Sequence, residues 1–331
     1  MTICLGIEST AHTFGCGIVD SDGNVLTNEK DVYTTSEGGL IPAKLADHHV
    51  AVCKEVIASA LAKAKLSMRD IDLVAYSASP GIGHALRIGA MAARSLAALH
   101  GKEIIGVNHC IAHLEIGRLR TGAKDPVLLY ASGANTQIIA YDGGRYRIFG
   151  ETLDMGVGNL LDSVAREMGL GFPGGPKIEK LAQAYPQKEK FVELPYVVKG
   201  MDLSFGGIFT NLRQKIKDTK HSNEELAFAL QETVFAMLVE VAERAMAHCG
   251  KDELVIGGGV GCNKRLQEMC RIMCEERGAR FYAPENEFLV DNAAMIAWLG
   301  LLEHGAGKHL AIENAGIDPY LRTDDVAVSW R

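Results

Sequence analysis

Short apolar runs broken by small polar turns open the chain. ICLGIES, FGCGIVD and NVLTNEKDVY each predict a β-strand, the first two joined by STAHT and the last two by Asp22-Gly23. An Asp-Gly pair between apolar runs is a hairpin signal, because glycine accepts the positive φ that a tight turn needs. The arrangement returns in the second half. There PVLLYAS, QIIAYD and RYRIFGETLD are joined by GANT and by Asp142-Gly143. Two meanders with matching turns point to an internal duplication rather than to two unrelated domains.

Helical periodicity follows each meander. Residues 42–65 begin with proline and carry apolar side chains at helical spacing; residues 159–169 do likewise, and residues 224–250 predict a long apolar helix. Buried strands then alternate with helices. DIDLVAYSAS, PGIG, ALRIGAMAARSLAALHG and KEIIGVNH form one such series, and DELVIGGGVGCNKRLQEMCRIMCEERG with ARFYAP forms another. Two βββαβαβα halves predict an α/β protein of the duplicated actin-like, sugar-kinase-like ATPase (ASKHA) architecture, two lobes with a nucleotide cleft between them. The expected lobes are residues 1–121 and 126–331, with the last helical segment packing back on the first lobe.

Composition narrows the class. The 331 residues are 47% apolar and 23% charged, the balance of a core-forming globular protein. No apolar run reaches the roughly 18 residues of a membrane span, and MTICLGIEST has neither a basic nor an extended apolar signal region, so a cytoplasmic protein is expected. The eight cysteines form no CxxC pair and read as small buried hydrophobes of a reducing compartment. A net charge of −7 excludes a globally basic nucleic-acid binder. Local basic clusters remain at Arg118, Arg120 and Lys124, and at residues 213–220.

Candidate chemistry begins with VNHCIAHLEIG. His109 and His113 stand four apart on a predicted helix, where i and i+4 share a face and two imidazoles can reach one ion. The zinc-protease signature requires a glutamate directly after the first histidine; Cys110 occupies that place and Glu115 comes too late. Alone, the pair is also compatible with a plain helix. EST (8–10) and SGANT (132–136) occupy equivalent meander turns and are candidate phosphate loops; IGGGVGCNKRL (256–266) is a third. FPGGPKIEKLA places Glu179 one turn into a helix, where its carboxylate suits a ribose hydroxyl or simply the helix N-terminus. Asp291 and Asn292 precede an apolar helix, as an N-cap or, if the segment returns to the cleft, as a source of a third metal ligand.

GIESTAHTFGCGI, VNHCIAHLEIG, YASGANTQ, GFPGGPKIEKLA, DLSFGGIFT, GGGVGCNKRL and VDNAAMIAW, in this order, resemble the TsaD family, and more closely its archaeal and eukaryotic branch, the catalytic subunit of the KEOPS complex. The resemblance spans nearly the whole chain. It implies transfer of a threonylcarbamoyl group from threonylcarbamoyl-AMP to N6 of adenosine 37 in tRNAs that read ANN codons. It implies one transition metal, iron or zinc, on His109, His113 and Asp291, with Tyr130 approaching the metal or its ligand. Tyr130, Ala131, Ser132, Gly133 and Ala134 would contact the intermediate, with the 132–134 amides as an anion site; Asp162, Gly175, Glu179 and Asn263 would bind its adenosine, a place also suited to an ATP- or ADP-like nucleotide. The attacking amine's base is open, with Asp162 or a substrate phosphate oxygen as candidates. Two departures stand out: Ala134 where the family often has glycine, which matters if that position needs a positive φ, and Gly206 where it often has serine.

The same resemblance implies partners besides tRNA. A small dimerising subunit is expected on the helices at 42–65 and 83–100, with Ala60 in an exposed apolar stripe. No protein-kinase motif follows GIDPYLRTDDV, so the small kinase of this branch is expected as a separate chain. The alternatives are a small-molecule kinase or ATPase of the same fold, which would have no use for the histidine pair, and a non-catalytic scaffold.

Overall fold

The computed structural model describes residues 1–35, 41–189 and 192–331. The first half runs β1 (Ile3–Glu8), β2 (Thr13–Asp20), β3 (Val25–Val32), α1 (Pro42–Ala64), β4 (Leu73–Ser79), α2 (Gly83–His100), β5 (Glu103–Asn108) and α3 (His109–Thr121). The second continues β6 (Val127–Ala131), β7 (Thr136–Asp142), β8 (Arg145–Glu151), α4 (Val157–Glu167), α5 (Gly175–Ala184), a short hairpin β9 (Val198–Lys199) and β10 (Asp202–Leu203), α6 (Gly206–Asp218), α7 (Asn223–Cys249), β11 (Glu253–Gly257), α8 (Lys264–Glu276), β12 (Arg280–Tyr282), α9 (Asn286–Leu289) and α10 (Ala293–Gly305).

The two large sheets share one topology. Their orders are β3-β2-β1-β4-β5 and β8-β7-β6-β11-β12, each an antiparallel meander extended by two parallel strands. The helix between the parallel strands is α2 in one half and α8 in the other. Gly23 (φ 86°) sits in the first meander turn, and Gly143 (φ 57°) and Gly144 (φ 80°) in the second. This is the left-handed backbone that an Asp-Gly signal anticipates.

Helix α10 leaves the second half and lies on the first sheet. The approach is backbone to backbone: a Cβ at Gly6 would fall 2.4 Å from Ala297 N, and one at Gly17 would fall 2.5 Å from Ala294 N. Glycine at these two strand positions is therefore required for the docking. Asn28 on β3 fixes the N-terminus of α10 by accepting from Ala293 N–H (3.2 Å). Helix α3 is buried along residues 109–117. It shares an apolar core with β6, β11 and α10, so the two halves of the chain meet through a packed interior.

Candidate metal centre and cleft

The docking of α10 decides where Asp291 goes. Asn292 is the N-cap, its Oδ1 accepting from Met295 N–H at 3.0 Å. Asp291, one residue earlier, is thereby released from capping and faces the start of α3. That helix is capped by Asn108, which accepts from the N–H groups of Cys110 and Ile111. His109 and His113 project from one face of α3, ring centroids 4.8 Å apart. Asp291 Oδ1 lies 3.5 Å from Nε2 of each. The three ligand atoms fall within 4.8 Å of one another.

Neighbouring groups orient and polarise this cluster. His109 Nδ1 donates to Glu8 Oε2 at 3.0 Å, which turns Nε2 toward Asp291 and toward the Tyr130 hydroxyl, 3.1 Å away. Glu8 is fully buried, and its other oxygen accepts from Thr10 N–H at 2.6 Å. Burial opposes a charge on His109, but Tyr130, Glu8 and Asp291 outweigh it and hold the imidazole pKa well above its ordinary range. Burial pulls the His113 pKa down. It also opposes ionisation of Asp291, but the two histidines facing that carboxyl prevail and hold it well below its usual range. Such a cluster attracts a cation. Both ring nitrogens of His113 are buried and neither makes a hydrogen bond of good geometry, a state that suits a metal ligand and that ordinary core histidines avoid. The donor set therefore fits a transition metal.

The cluster opens at one end of a cavity of about 930 Å³. Its walls include Thr10, His12, Gly81, Tyr130, Ser132, Gly133, Ala134, Asp162, Arg166 and Phe172. The 132–135 turn rests on the first turn of α4, with Gly158 N–H donating to Ser132 O (3.0 Å) and Asn159 N–H to Gly133 O (2.9 Å). Ser132 N–H is used by Asn135 O (3.0 Å), so the amides left for an anion are those of Gly133 and Ala134. Ala134 is not among the residues with positive φ, so alanine at this position brings no backbone strain.

The remaining sequence candidates divide. Asp162 lines the cavity, and its Oδ1 accepts from Gly174 N–H (2.6 Å), holding the 171–175 loop at the start of α5; burial raises its pKa despite that bond. Gly175, Glu179 and Asn263 are not among the residues that line the cavity. Glu179 Oε1 accepts from Lys264 N–H (3.0 Å), and Asn263 caps α8 while its Nδ2 donates to Gln231 Oε1 (3.0 Å). Gly206 is away from the cavity, at the α6 N-terminus, where its N–H and that of Phe205 donate to Asp154. The EST turn is not an open phosphate loop. Ser9 N–H is used by the Ser77 hydroxyl and Thr10 N–H by Glu8. What the turn supplies is Glu8, the residue that sequence reasoning missed; the acidic residue ending a buried strand was the available signal.

Two further expectations are corrected. Ala60 lies in the stripe of α1 that packs on the first sheet (Leu45, His49, Val56, Ala60) and is fully buried. The exposed large apolar side chains of the α1–α2 pair are Val50, Met91 and Leu99. Arg118 and Arg120 are not free basic groups: Arg118 pairs with buried Glu115 (2.6 Å), and Arg120 pairs with Glu285 (2.6 Å) while lying over the Phe288 ring.

Residues 23–298 match the family model described as TsaD: tRNA N6-adenosine threonylcarbamoyltransferase. The chain belongs to the TsaD family. A Thermococcus kodakarensis protein called tRNA N6-adenosine threonylcarbamoyltransferase is 53% identical over 99% of both chains, and one of the same name from Archaeoglobus fulgidus is 50% identical over 99% of both. As a TsaD-family enzyme the chain catalyses threonylcarbamoyl transfer to N6 of adenosine 37 of tRNA. A Methanobrevibacter smithii protein called a probable bifunctional tRNA threonylcarbamoyladenosine biosynthesis protein is 51% identical over 99% of this chain but only 60% of its own length. Solved structures share the ASKHA fold at low identity. HypF of T. kodakarensis matches with a TM-score of 0.63 at 14% identity, over 92% of this chain and 48% of that one. The (R)-2-hydroxyglutaryl-CoA dehydratase component A of Acidaminococcus fermentans matches with 0.54 at 12%, over 92% and 100%. Among the described residues no helix is long and apolar enough to cross a membrane.

Proposed function

We propose that the cavity holds threonylcarbamoyl-AMP with its threonylcarbamoyl end at His109, His113 and Asp291 and its nucleotide along the 132–134 turn and α4. The observation that carries this reading is the opening of a cation-seeking His-His-Asp cluster into the same cavity as two free backbone amides. Iron or zinc bound there would supply Lewis acidity toward a carbonyl oxygen of the intermediate. Glu8 fixes the His109 ring by accepting its Nδ1–H. Burial pushes the Tyr130 phenol pKa far up, and its hydroxyl faces the centre beside His109 Nε2. The N–H groups of Gly133 and Ala134 hold the phosphate and stabilise charge as it leaves as AMP, a preorganised anion site. Adenine N6 is a weak nucleophile, so this polarisation at both ends of the scissile bond is what the transfer requires.

Asp162 at the cavity wall, together with Gly175, Glu179 and Asn263, forms the proposed adenosine side, and an ATP- or ADP-like nucleotide would occupy it in the same way. Asp162, its pKa raised by burial, lines the same cavity outside the histidine cluster and is the protein carboxylate proposed as a base. For partners we infer an ANN-decoding tRNA, a small kinase subunit, and a small dimerising subunit on the exposed Val50, Met91 and Leu99 of α1 and α2. The setting is the cytoplasm. Reconstitution tests the reading: purified chain, threonylcarbamoyl-AMP and tRNA, with and without the partner subunits, assayed for modified adenosine and released AMP. AMP release without tRNA modification under every combination would rule it out.

A further inference from the structure

A second group of ligating side chains lies on the surface, at the opposite ends of β5 and α10 from the first. Glu103 opens β5, the edge strand of the first sheet; His304 sits in the last turn of α10; His309 follows it. His304 Nε2 is 2.6 Å from Glu103 Oε2 and His309 Nδ1 is 3.2 Å from Glu103 Oε1. The two rings stand edge to face with centroids 5.2 Å apart. Ligand atoms of all three residues fall within 4.8 Å of one another.

The backbone around the group is fixed. Gly307 N–H donates to His304 O (2.9 Å), Lys308 N–H to Glu303 O (3.0 Å), and Leu310 bridges Ile104 next to Glu103. The neighbouring lysines are engaged elsewhere: Lys308 Nζ with Glu303 and Gly106 O, and Lys102 Nζ with Arg69 O. Among the described residues no lysine or arginine therefore pairs with Glu103, and two imidazoles from separate elements converge on one carboxylate. Ligand bonds to zinc of about 2.0–2.2 Å require N and O atoms roughly 3.3 Å apart around a tetrahedral ion. Small rotations of an exposed carboxylate reach that spacing.

We propose that Glu103, His304 and His309 form a second metal site, taking Zn²⁺ with water in the fourth position, that staples the chain leaving α10 to the first lobe. Two imidazoles and a carboxylate are a zinc donor set, and calcium or magnesium would call for oxygens instead. The staple matters because of where the chain goes next. Gly316 O accepts from the Tyr76 hydroxyl (2.7 Å), Asp318 N–H donates to Ala78 O (2.9 Å), and Pro319 forms part of the cavity wall. Fixing the start of this segment helps to hold that wall in place.

The test is zinc stoichiometry by elemental analysis of the untagged full-length chain after dialysis against micromolar Zn²⁺. His304→Gln/His309→Gln, both at positions where the fold is not at risk, should lose one equivalent relative to the parent and keep its melting temperature in chelator. In the background of His109→Gln/His113→Gln, one equivalent should remain and should slow proteolysis of the segment after Gly305. Unchanged stoichiometry in His304→Gln/His309→Gln overturns the site. Loss of all zinc in His109→Gln/His113→Gln protein that keeps the parent's circular dichroism also overturns it. Neither arm depends on the transferase reading.

Discussion

Glu8 on the first strand and His109 on the third helix meet across the first sheet, the Nδ1–H of one donating to Oε2 of the other over 3.0 Å. The pair is entirely internal, and Glu8 touches neither the cavity nor Asp291. Its work is to set the ring of a ligand. Glu8→Ala should lower metal affinity by about 10- to 100-fold, measured by chelator competition, and Glu8→Gln should recover part of the loss because an amide oxygen still accepts. Asp291→Ala removes a ligand outright, and should leave the chain without stoichiometric metal. If metal affinity in Glu8→Ala equals the parent's, the orienting role is wrong.

His49 makes a pH prediction. It is buried on α1 against Phe14, and burial first, then the neighbouring His48, lowers its pKa from 6.5 to about 4. The folded form thus binds this proton more weakly than the unfolded chain. Stability from neutral His49 is complete above about pH 6.5 and is lost as pH falls toward 4. Between pH 7 and pH 5 the loss attributable to it is about 2 kcal/mol. Urea denaturation at the two pH values should show that slope, and His49→Gln should flatten it. A variant with the parent's full slope would place the titration elsewhere.

Much of the architecture was legible because its signals are local. Two Asp-Gly turns in matching meanders revealed the duplication, and the proline at 42 marked the start of α1 at the residue where it begins. The histidine pair was legible for the same reason, as a spacing within one helix. The third ligand needed more, since an Asp-Asn pair before a helix reads equally as a cap. Only the docking of α10 on Gly6 and Gly17 separates Asn292 the cap from Asp291 the ligand. Pairings between distant segments left no local trace. The EST turn has the composition of an anion loop, yet Ser77 and Glu8 itself already occupy its amides. Arg118 and Arg120 look free in sequence because Glu115 lies in the same helix unread as a buried partner, and Glu285 is 165 residues away.

The direction of α1 gives a prediction about partners. Ala60 faces the sheet, so Ala60→Glu would bury an unpaired carboxylate and cost about 4 kcal/mol or more. That variant reports on folding, not on association. Met91→Glu is the informative change, since Met91 is 57% exposed. It should leave the melting temperature and metal content of the isolated chain near those of the parent, and it should weaken binding to the small dimerising subunit on a sizing column. Complex formation at parental strength would move the interface off this helix pair.

The last prediction concerns tRNA, and it begins from charge. The chain carries a net −7, yet its substrate is a polyanion. Of the three basic residues at the end of the histidine helix and just after it, Arg118 and Arg120 are paired within the chain. Arg118 neutralises Glu115, which also accepts from Trp330 Nε1 (2.8 Å) and the Tyr146 hydroxyl. Arg118→Glu would set a second carboxylate against that buried one and should destabilise the chain by about 3 kcal/mol, so its effect on tRNA would be indirect. Arg166 differs: it is exposed on α4, lines the cavity, and makes no ion pair among the described residues. Arg166→Glu should keep the melting temperature and lower tRNA affinity several-fold. Each phosphate that is no longer neutralised makes the salt slope of log K shallower by about 0.7–0.9. Because so few basic groups face the cleft, the isolated chain should bind tRNA weakly, and partner subunits should raise affinity by adding basic surface. Anisotropy titrations of labelled tRNA at several salt concentrations, with parent, Arg118→Glu and Arg166→Glu chains, alone and with partners, separate these effects. Tight binding by the isolated parent, with a salt slope that Arg166→Glu leaves unchanged, would show that the tRNA approaches by another face.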